Sequence, residues 1–271
     1  LKGEFFSSNS RMGMLFVDHS GGVWQNSVVY TNGFNKFVST KFDLSSISNP
    51  YIAQAIYLPG TSTSIFRTSS GQVYSVGGNA QYGLGQGNIA GTALGKVLLP
   101  ETNTVTSIDG GYDFAVATMS DGSYWTWGNN TYGQQAKSPT IIPSTSTPIL
   151  LVLPVGVTNP RMSALSQVTL ITSDGLSAYL PNSLGVWTKQ DFTNGFGVPV
   201  GLSISSLSQS SSYYWSAGSL QFGLASAQDG SLYEFGGPIG DCSNSSGRVR
   251  SVGQFGPTFI NDPVSFGPML Y

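Results

Sequence analysis

One pattern of apolar and polar positions recurs five times along the chain. Each copy has a short apolar stretch, a polar pair that ends in glycine, and a second stretch rich in aromatic residues. The copies span residues 14–26, 64–79, 115–130, 169–182 and 223–237, and the last two are weaker. Short apolar runs on both sides of a Ser-Gly or Asp-Gly pair predict a β-hairpin, because glycine supplies the positive φ that tight turns need.

The turn glycines of successive copies are separated by 49, 51, 53 and 55 residues; they are Gly22, Gly71, Gly122, Gly175 and Gly230. Such even spacing indicates an internal repeat. Upstream of each hairpin lies a further pair of apolar segments, such as 97–100 and 105–108. These segments predict an outer strand, a turn and an inner strand, so that each repeat would form one four-stranded sheet.

Repeated four-stranded sheets are typical of a β-propeller, in which neighbouring blades cover each other's faces. No long segment keeps the periodicity of an amphipathic helix, so we predict an all-β chain. The first hairpin starts near Met14 and has a short upstream half, which the C-terminal segment 259–271 resembles. We therefore expect residues 1–271 to form one propeller domain of five blades, with its ring closed by strands from both ends.

Two of the copies resemble the repeat of the regulator of chromosome condensation family. That repeat has an Asp-Gly turn, an aromatic strand that ends in Trp-Gly, an Asn, and then Tyr-Gly-Gln with Leu-Gly. Residues 121–134 and 70–87 carry most of these features, and the run 109–114 resembles the Gly-Gly step before the hairpin. The other copies match only at the turn and the strand; they surround Gly22, Gly175 and Gly230.

The resemblance implies a binding role, since many relatives serve as docking platforms for other proteins. The founding members of the family have seven blades, whereas this chain has five copies of the repeat. Their activity, nucleotide exchange on a small GTPase together with chromatin binding, is not carried over, because none of their functional residues can be matched here. An exchange factor also predicts a conspicuous acidic or hairpin insertion on one face, and we identify none in the sequence.

The composition argues against several kinds of site. Of 271 residues, 11 are basic and 13 acidic, and there is one histidine and one cysteine. A structural zinc site needs about four Cys or His ligands, and nucleic-acid binding needs a basic stripe. No apolar run approaches the roughly 20 residues of a membrane span. We therefore expect no metal, no cofactor, no nucleic acid and no membrane insertion.

Catalysis is not expected either. His19 precedes two glycines in a predicted turn, and Cys242 lies in a polar loop, so neither suggests a nucleophile and its base. Several aspartates recur at repeat positions, which indicates turn capping; they are Asp109, Asp113, Asp121, Asp174 and Asp229. No distinctive pair of carboxylates suggests a glycosidase. We predict a non-enzymatic protein.

Aromatic residues in loops are the candidate contact residues, because aromatics are favoured at protein interfaces and also stack on sugars. Tyr82, Tyr132 and Trp187 follow the hairpins at comparable positions, and a Ser-rich loop contains Tyr213, Tyr214 and Trp215. Two sequons for N-glycosylation begin at Asn129 and Asn244.

Only 9% of the residues are charged, so we expect Ser, Thr, Asn and Gln side chains to supply most of the surface groups that hydrogen-bond to water. Such surfaces are common in extracellular, cell-surface and virion proteins. We therefore expect a rigid interaction scaffold that is a structural or surface component of a larger assembly, with other proteins or copies of itself as partners. The alternative is a lectin with one sugar site per repeat, which predicts the same aromatic and amide residues at equivalent loop positions.

Overall fold

The computed structural model describes residues 2–8, 11–31, 34–48, 50–87, 92–164, 167–192, 201–209, 223–235 and 250–254. These residues form five four-stranded antiparallel sheets. The prediction of an all-β chain of repeated four-stranded sheets is therefore confirmed.

The chain divides into two compact units. The first unit takes its described residues from 1–129 and 144–151 and contains sheets 1 to 3. Sheet 1 consists of β1 (Lys2–Ser8), β2 (Arg11–Val17), β3 (Val23–Thr31) and β4 (Phe34–Lys41). Sheet 2 consists of β5 (Ile52–Leu58), β6 (Thr63–Thr68), β7 (Val73–Gly77) and β8 (Gly95–Lys96), with a 3₁₀ turn at Ala80–Tyr82. Sheet 3 consists of β9 (Val105–Gly110), β10 (Phe114–Met119), β11 (Tyr124–Asn129) and β12 (Ser144–Leu150).

The second unit takes its described residues from 130–143 and from 152 onward, and it contains sheets 4 and 5. Sheet 4 consists of β13 (Arg161–Ala164), β14 (Val168–Ile171), β15 (Ser177–Pro181) and β16 (Trp187–Asp191). Sheet 5 consists of β17 (Ile204–Gln209), β18 (Gly223–Ala227), β19 (Ser231–Phe235) and β20 (Arg250–Gln254).

A glycine with positive φ joins the second and third strands of every sheet; these glycines are Gly21, Gly71, Gly122, Gly175 and Gly230. The glycine N–H donates to the carbonyl three residues earlier, as from Gly71 to Thr68 at 3.0 Å. This geometry is a three-residue hairpin loop with a left-handed last residue. In the first copy the turn closes between Asp18 N–H and the carbonyl of Gly22, so the left-handed residue is Gly21 and not the predicted Gly22.

Where the structure describes it, the predicted outer strand upstream of a hairpin belongs to the preceding sheet, which corrects our grouping of the strands. Val97 N–H donates to the carbonyl of Val73 in sheet 2 at 2.9 Å, and Leu151 N–H donates to that of Tyr124 in sheet 3 at 2.8 Å. Each sheet therefore runs in chain order from its first to its fourth strand.

Sheet 1 takes its four strands from residues 2–41. The C-terminal segment 259–271 lies outside the described residues. Closure of a ring by the two chain ends, and a single domain over residues 1–271, therefore stay predictions.

Successive sheets within each unit bury their faces against each other. In the first unit one cluster joins sheets 1 and 2, and a second joins sheets 2 and 3 and includes the fully buried Trp127. The indole Nε1–H of Trp127 donates to the carbonyl of Gly83 at 3.0 Å. In the second unit a third cluster joins sheets 4 and 5; it includes Ile171, Leu180, Ile204 and Leu207. The apolar positions of the repeat thus pack between blades, as predicted.

Backbone hydrogen bonds also connect the hairpin turn of one sheet to the first strand of the next. The carbonyl of the turn glycine accepts from the first residue of that strand at 2.8 to 3.2 Å; the pairs are Gly21 with Ile52, Gly71 with Val105, and Gly175 with Ile204. This bond leaves no room for a side chain at the turn, which adds a packing reason for glycine to its positive φ.

Candidate interaction surface

The loop 130–143 is organised by one buried asparagine. The Asn130 side chain donates from Nδ2 to the carbonyls of Lys137 and Ile142, at 3.1 and 2.6 Å. Its Oδ1 accepts from Gln135 N–H at 2.9 Å. Because Asn130 is fully buried, these three bonds close the loop on itself and fix its conformation.

Asn79 plays the same role after the hairpin of sheet 2. Oδ1 of Asn79 accepts from the N–H five residues later, that of Leu84, at 3.2 Å. In both loops the asparagine carbonyl accepts from the N–H three residues later, which belongs to Tyr82 in one loop and to Gly133 in the other.

This correspondence corrects the predicted equivalence of Tyr82 and Tyr132. Counted from the asparagine, Tyr82 occupies the position of Gly133, and both residues have positive φ, 62° and 77°. Tyr132 corresponds to Gln81. The Tyr-Gly pair begins three residues after Asn79 but only two residues after Asn130. Aligning the two loops on their tyrosines hides this difference.

Trp187 is a strand residue and not a loop residue, so its predicted equivalence to the two tyrosines is also wrong. It opens β16 and pairs with Pro181. Its indole Nε1–H donates to the carbonyl of Val152 at 2.9 Å. The half-buried side chain therefore holds the segment that follows β12.

The turn 182–186 between β15 and β16 packs against the loop 130–143. An added Cβ at Gly133 would lie 2.7 Å from both the Asn182 carbonyl oxygen and Gly185 N. Gly185 has a φ of 74° and lies against the backbone of Lys137. The loop is also tied to sheet 4, because Val168 N–H donates to the carbonyl of Gln134 at 2.9 Å.

Large apolar side chains project from these connected segments. We define the apolar loop surface as Tyr132, Ile141, Val152, Leu184 and Val186, which are 51%, 79%, 61%, 65% and 57% exposed. All five belong to the second unit. Several exposed apolar side chains on segments that contact one another indicate an interaction site more strongly than single, scattered ones do. Sequence analysis identified only Tyr132, because nothing in the local pattern distinguishes an exposed leucine or valine from a buried one.

Apart from Trp187, the other predicted loop and glycosylation residues that the structure describes are Tyr82 and Asn129, and neither belongs to the second unit. Tyr82 is partly exposed and lies in the first unit. Asn129 is buried, and its Nδ2 donates to the Asp113 carboxylate. A glycan on that nitrogen would displace the carboxylate, so the geometry argues against the predicted modification. The remaining predicted residues lie outside the described residues; they are Tyr213, Tyr214, Trp215 and Asn244.

Three of the five predicted aspartates cap the backbone of a hairpin turn, whereas Asp109 lies in β9 and the Asp113 carboxylate accepts from the Asn129 amide. Oδ1 of Asp121, Asp174 and Asp229 accepts from the N–H two residues later at 2.9 to 3.0 Å. The Ser123 hydroxyl and backbone N–H hold the pKa of Asp121 below its usual value, and Ser231 acts in the same way on Asp229.

Across the described ranges, no three His, Cys, Asp or Glu side chains are grouped so that they could hold a metal ion. In the same part of the chain, no helix has the length and apolar character needed to cross a membrane.

The comparisons with known proteins agree with this geometry. Residues 105–134, which run from β9 into the loop 130–143, match the model of the regulator of chromosome condensation (RCC1) repeat. Human WBSCR16 has a similar structure, with a TM-score of 0.66 and 18% identity over 89% of this chain and 65% of that one. The chain has the RCC1-like propeller fold.

Two yeast structures share this RCC1-like fold. Prp20p from Saccharomyces cerevisiae, whose binding to Gsp1p and histones has been described, has a TM-score of 0.62 and 19% identity, covering 89% of this chain and 61% of that one. Yeast RCC1 (Prp20) bound to Kap60 has a TM-score of 0.59 and 20% identity, covering 86% of this chain and 55% of that one.

The RCC1-like chain thus spans between 55% and 65% of the length of these three solved chains. No curated protein is significantly similar to it in sequence.

Proposed function

We propose that this RCC1-like chain is a non-enzymatic protein-interaction module that binds its partners on the apolar loop surface. The observation that carries the proposal is the exposure of five large apolar side chains on three connected segments of one unit. Leaving such side chains in water costs free energy, and burying them against a partner recovers it.

The chemistry of the surface suits a protein partner. The surface combines one tyrosine with four aliphatic side chains, and aromatic and aliphatic residues are typical of the centre of a protein interface. Charge is sparse on these segments: Lys137 is the one charged residue of the loop 130–143, and on β16 Lys189 and Asp191 form an ion pair at 2.9 Å. We therefore expect the partner to present an apolar, uncharged surface.

The rigidity of the loop favours binding as well. Since the three hydrogen bonds of Asn130 fix the loop that carries Tyr132, little conformational freedom would be lost when a partner docks. The fold is consistent with this role, because yeast Prp20, which shares it, has been solved bound to the protein Kap60.

We further propose that the complex is a larger extracellular, cell-surface or virion-type assembly in which this chain is a structural component. The support for this is compositional: charged residues are only 9% of the chain, a composition common in extracellular, cell-surface and virion proteins. The partner would then be another protein of the assembly or a second copy of the chain.

Nucleotide exchange on a small GTPase is a second candidate, favoured by one observation. The pairing of β3 with β4 continues to Thr31 and Phe34, whereas the pairing of β2 with β3 ends at Gly13 and Ser27. The hairpin therefore extends past its neighbour, with Phe34 exposed, and it is the kind of projection that we did not identify in the sequence. Release of labelled GDP from purified Gsp1p, with and without the chain, tests this candidate.

A lectin function has less support. It requires equivalent aromatic and amide residues in every blade, but Tyr82 corresponds to Gly133, and the loop after β15 shortens to a turn.

The main proposal is tested by capture of partners from the native source. The tagged wild-type chain is compared with a Y132S/L184S/V186S variant and with an L98S control, which removes a leucine of comparable exposure (54%) from the first unit. Quantitative mass spectrometry should show partners that the wild type and L98S retain and the triple variant loses. Equal retention by all three proteins would contradict the proposal.

A further inference from the structure

The segment 152–159, which connects β12 to β13, is exposed along most of its length. Val155 is fully exposed, and Val152, Gly156, Thr158 and Asn159 are exposed as well. Gly156 has a φ of 81°, and an added Cβ there would meet no atom within 4 Å. The segment therefore projects into solvent around Val155 and Gly156.

Few backbone hydrogen bonds hold this segment. Among the described residues, one of its N–H groups makes a backbone bond, from Val157 to the Pro154 carbonyl at 3.1 Å. The corresponding connection between sheets 2 and 3 follows Val97, whose bond to Val73 matches that of Leu151 to Tyr124, and there the next two N–H groups, of Leu98 and Leu99, donate to the carbonyls of Gly85 and Val97. Opening the segment 152–159 into an extended strand should therefore cost less free energy.

We propose that the Val155–Gly156 peptide bond is a cleavage site for a serine protease of the elastase type. Such proteases have a small primary pocket, which suits the valine side chain. Exposed loop tips with little hydrogen bonding are the preferred sites of proteolytic nicking. Water would add to the Val155 carbonyl carbon and the C–N bond would break. A carboxylate would remain on Val155, and the amine of Gly156 would take the proton.

The cut would leave the protein in one piece under native conditions. The loop 130–143 stays on the N-terminal fragment, whereas sheet 4, which it packs against, begins at Arg161 on the C-terminal fragment. The Gln134–Val168 hydrogen bond and the contact of Gly133 with the turn 182–186 do not involve the cut segment. The geometry therefore predicts a nicked chain whose fragments remain associated.

Limited digestion with pancreatic elastase tests the site. N-terminal sequencing should identify a fragment that begins at Gly156 while the connection 97–104 is still intact. V155E should slow its appearance by about tenfold or more, because a carboxylate does not fit an apolar pocket, and L98E should leave the rate unchanged. Absence of the Gly156 fragment while other bonds are cut, or its unchanged appearance in V155E, would overturn the proposal.

Gel filtration of the nicked protein tests the association. The two fragments should elute together in native buffer and separate in denaturant. G133V, which places a side chain against Asn182 and Gly185, should be cut at the same bond but release its fragments more readily. Separation of the wild-type fragments in native buffer would overturn the predicted association.

Discussion

The side-chain amide of Gln54 pairs with both backbone groups of Ile108. Nε2 donates to the Ile108 carbonyl at 2.6 Å, and Oε1 accepts from the Ile108 N–H at 3.0 Å. Gln54 lies on β5 and Ile108 on β9. The glutamine side chain therefore makes the two backbone hydrogen bonds that a residue of a neighbouring strand would make, and it links the first strands of sheets 2 and 3. Ser163 on β13 makes a related bond to the Leu207 carbonyl on β17, at 3.0 Å.

Replacing Gln54 with leucine should destabilise the protein by about 1–3 kcal/mol, because it leaves the Ile108 N–H and carbonyl without partners at a largely buried position. The midpoint of urea unfolding measures this effect. Q228L, which changes an exposed turn residue, should leave the midpoint nearly unchanged. Equal midpoints for Q54L and the wild type would show that the pairing does not contribute.

Gly71→Ala and Gly122→Ala should differ in stability although both glycines have a φ near 80°. Each substitution brings left-handed strain of about 1–2 kcal/mol. At Gly71 the added Cβ would also lie 2.7 Å from Cβ of Thr104 and 3.0 Å from Val105 N, whereas at Gly122 it meets no atom within 4 Å. G71A should therefore lose a further 1–3 kcal/mol or so. Thermal unfolding of the two variants side by side measures the difference, and equal losses would contradict the packing role of the turn.

Asp18 should titrate well below the usual range of a carboxyl group. The Ser20 hydroxyl, the Trp24 indole N–H and the Gly22 N–H lower the pKa of Asp18, in that order of effect. Carboxyl-detected NMR titration should show that S20A raises this pKa toward the ordinary value of about 3.9. S123A, which removes the matching serine beside Asp121, should leave it unchanged.

The depressed pKa of Asp18 has a consequence for stability. A carboxyl group whose pKa is lower in the folded than in the unfolded state stabilises the fold above its unfolded pKa, and this contribution is lost as the pH falls through the folded pKa. The stability difference between the wild type and S20A should therefore be present at pH 7 and shrink below about pH 4. A difference that is independent of pH would contradict this account.

Asn130→Ala should cost on the order of 3 kcal/mol, because it removes three hydrogen bonds at a fully buried position. The loop that carries Tyr132 should loosen, and hydrogen exchange of residues 131–142 should accelerate. N103A, which removes one exposed hydrogen bond to Asp121, is the matched control. Unchanged exchange in N130A would show that other contacts hold the loop.

The repeat and its hairpins could be predicted because their signals are local. A glycine between two apolar runs indicates a turn wherever it occurs, and the left-handed glycines of four copies were identified to the residue. The assignment of the outer strands to sheets depends on which neighbour a strand pairs with. The segment 97–100 has the same apolar pattern whether it pairs with β7 or with the hairpin that follows. The sequence therefore does not determine which strand it pairs with.

The candidate surface was less accessible to sequence reasoning. Matching hydrogen bonds show that Asn79 and Asn130 occupy equivalent positions. Relative to these asparagines, Tyr82 and Tyr132 are displaced from each other by one position. Leu184 and Val186 lie within the tight turn 182–186, where their N–H groups donate to the Asn182 side chain and their own side chains are exposed. Gln54 reaches a peptide group 54 residues away, a contact that no local pattern indicates.

Hydrogen exchange on the complex captured from the native source tests the central claim most directly, since it locates the partner on the chain. The account predicts that peptides covering residues 130–143 and 182–187 exchange more slowly in the complex than in the free chain, while the exposed connection 97–104 is unchanged. Protection confined to other peptides, with unchanged exchange around Tyr132 and Leu184, would contradict the proposal that the apolar loop surface is the binding site.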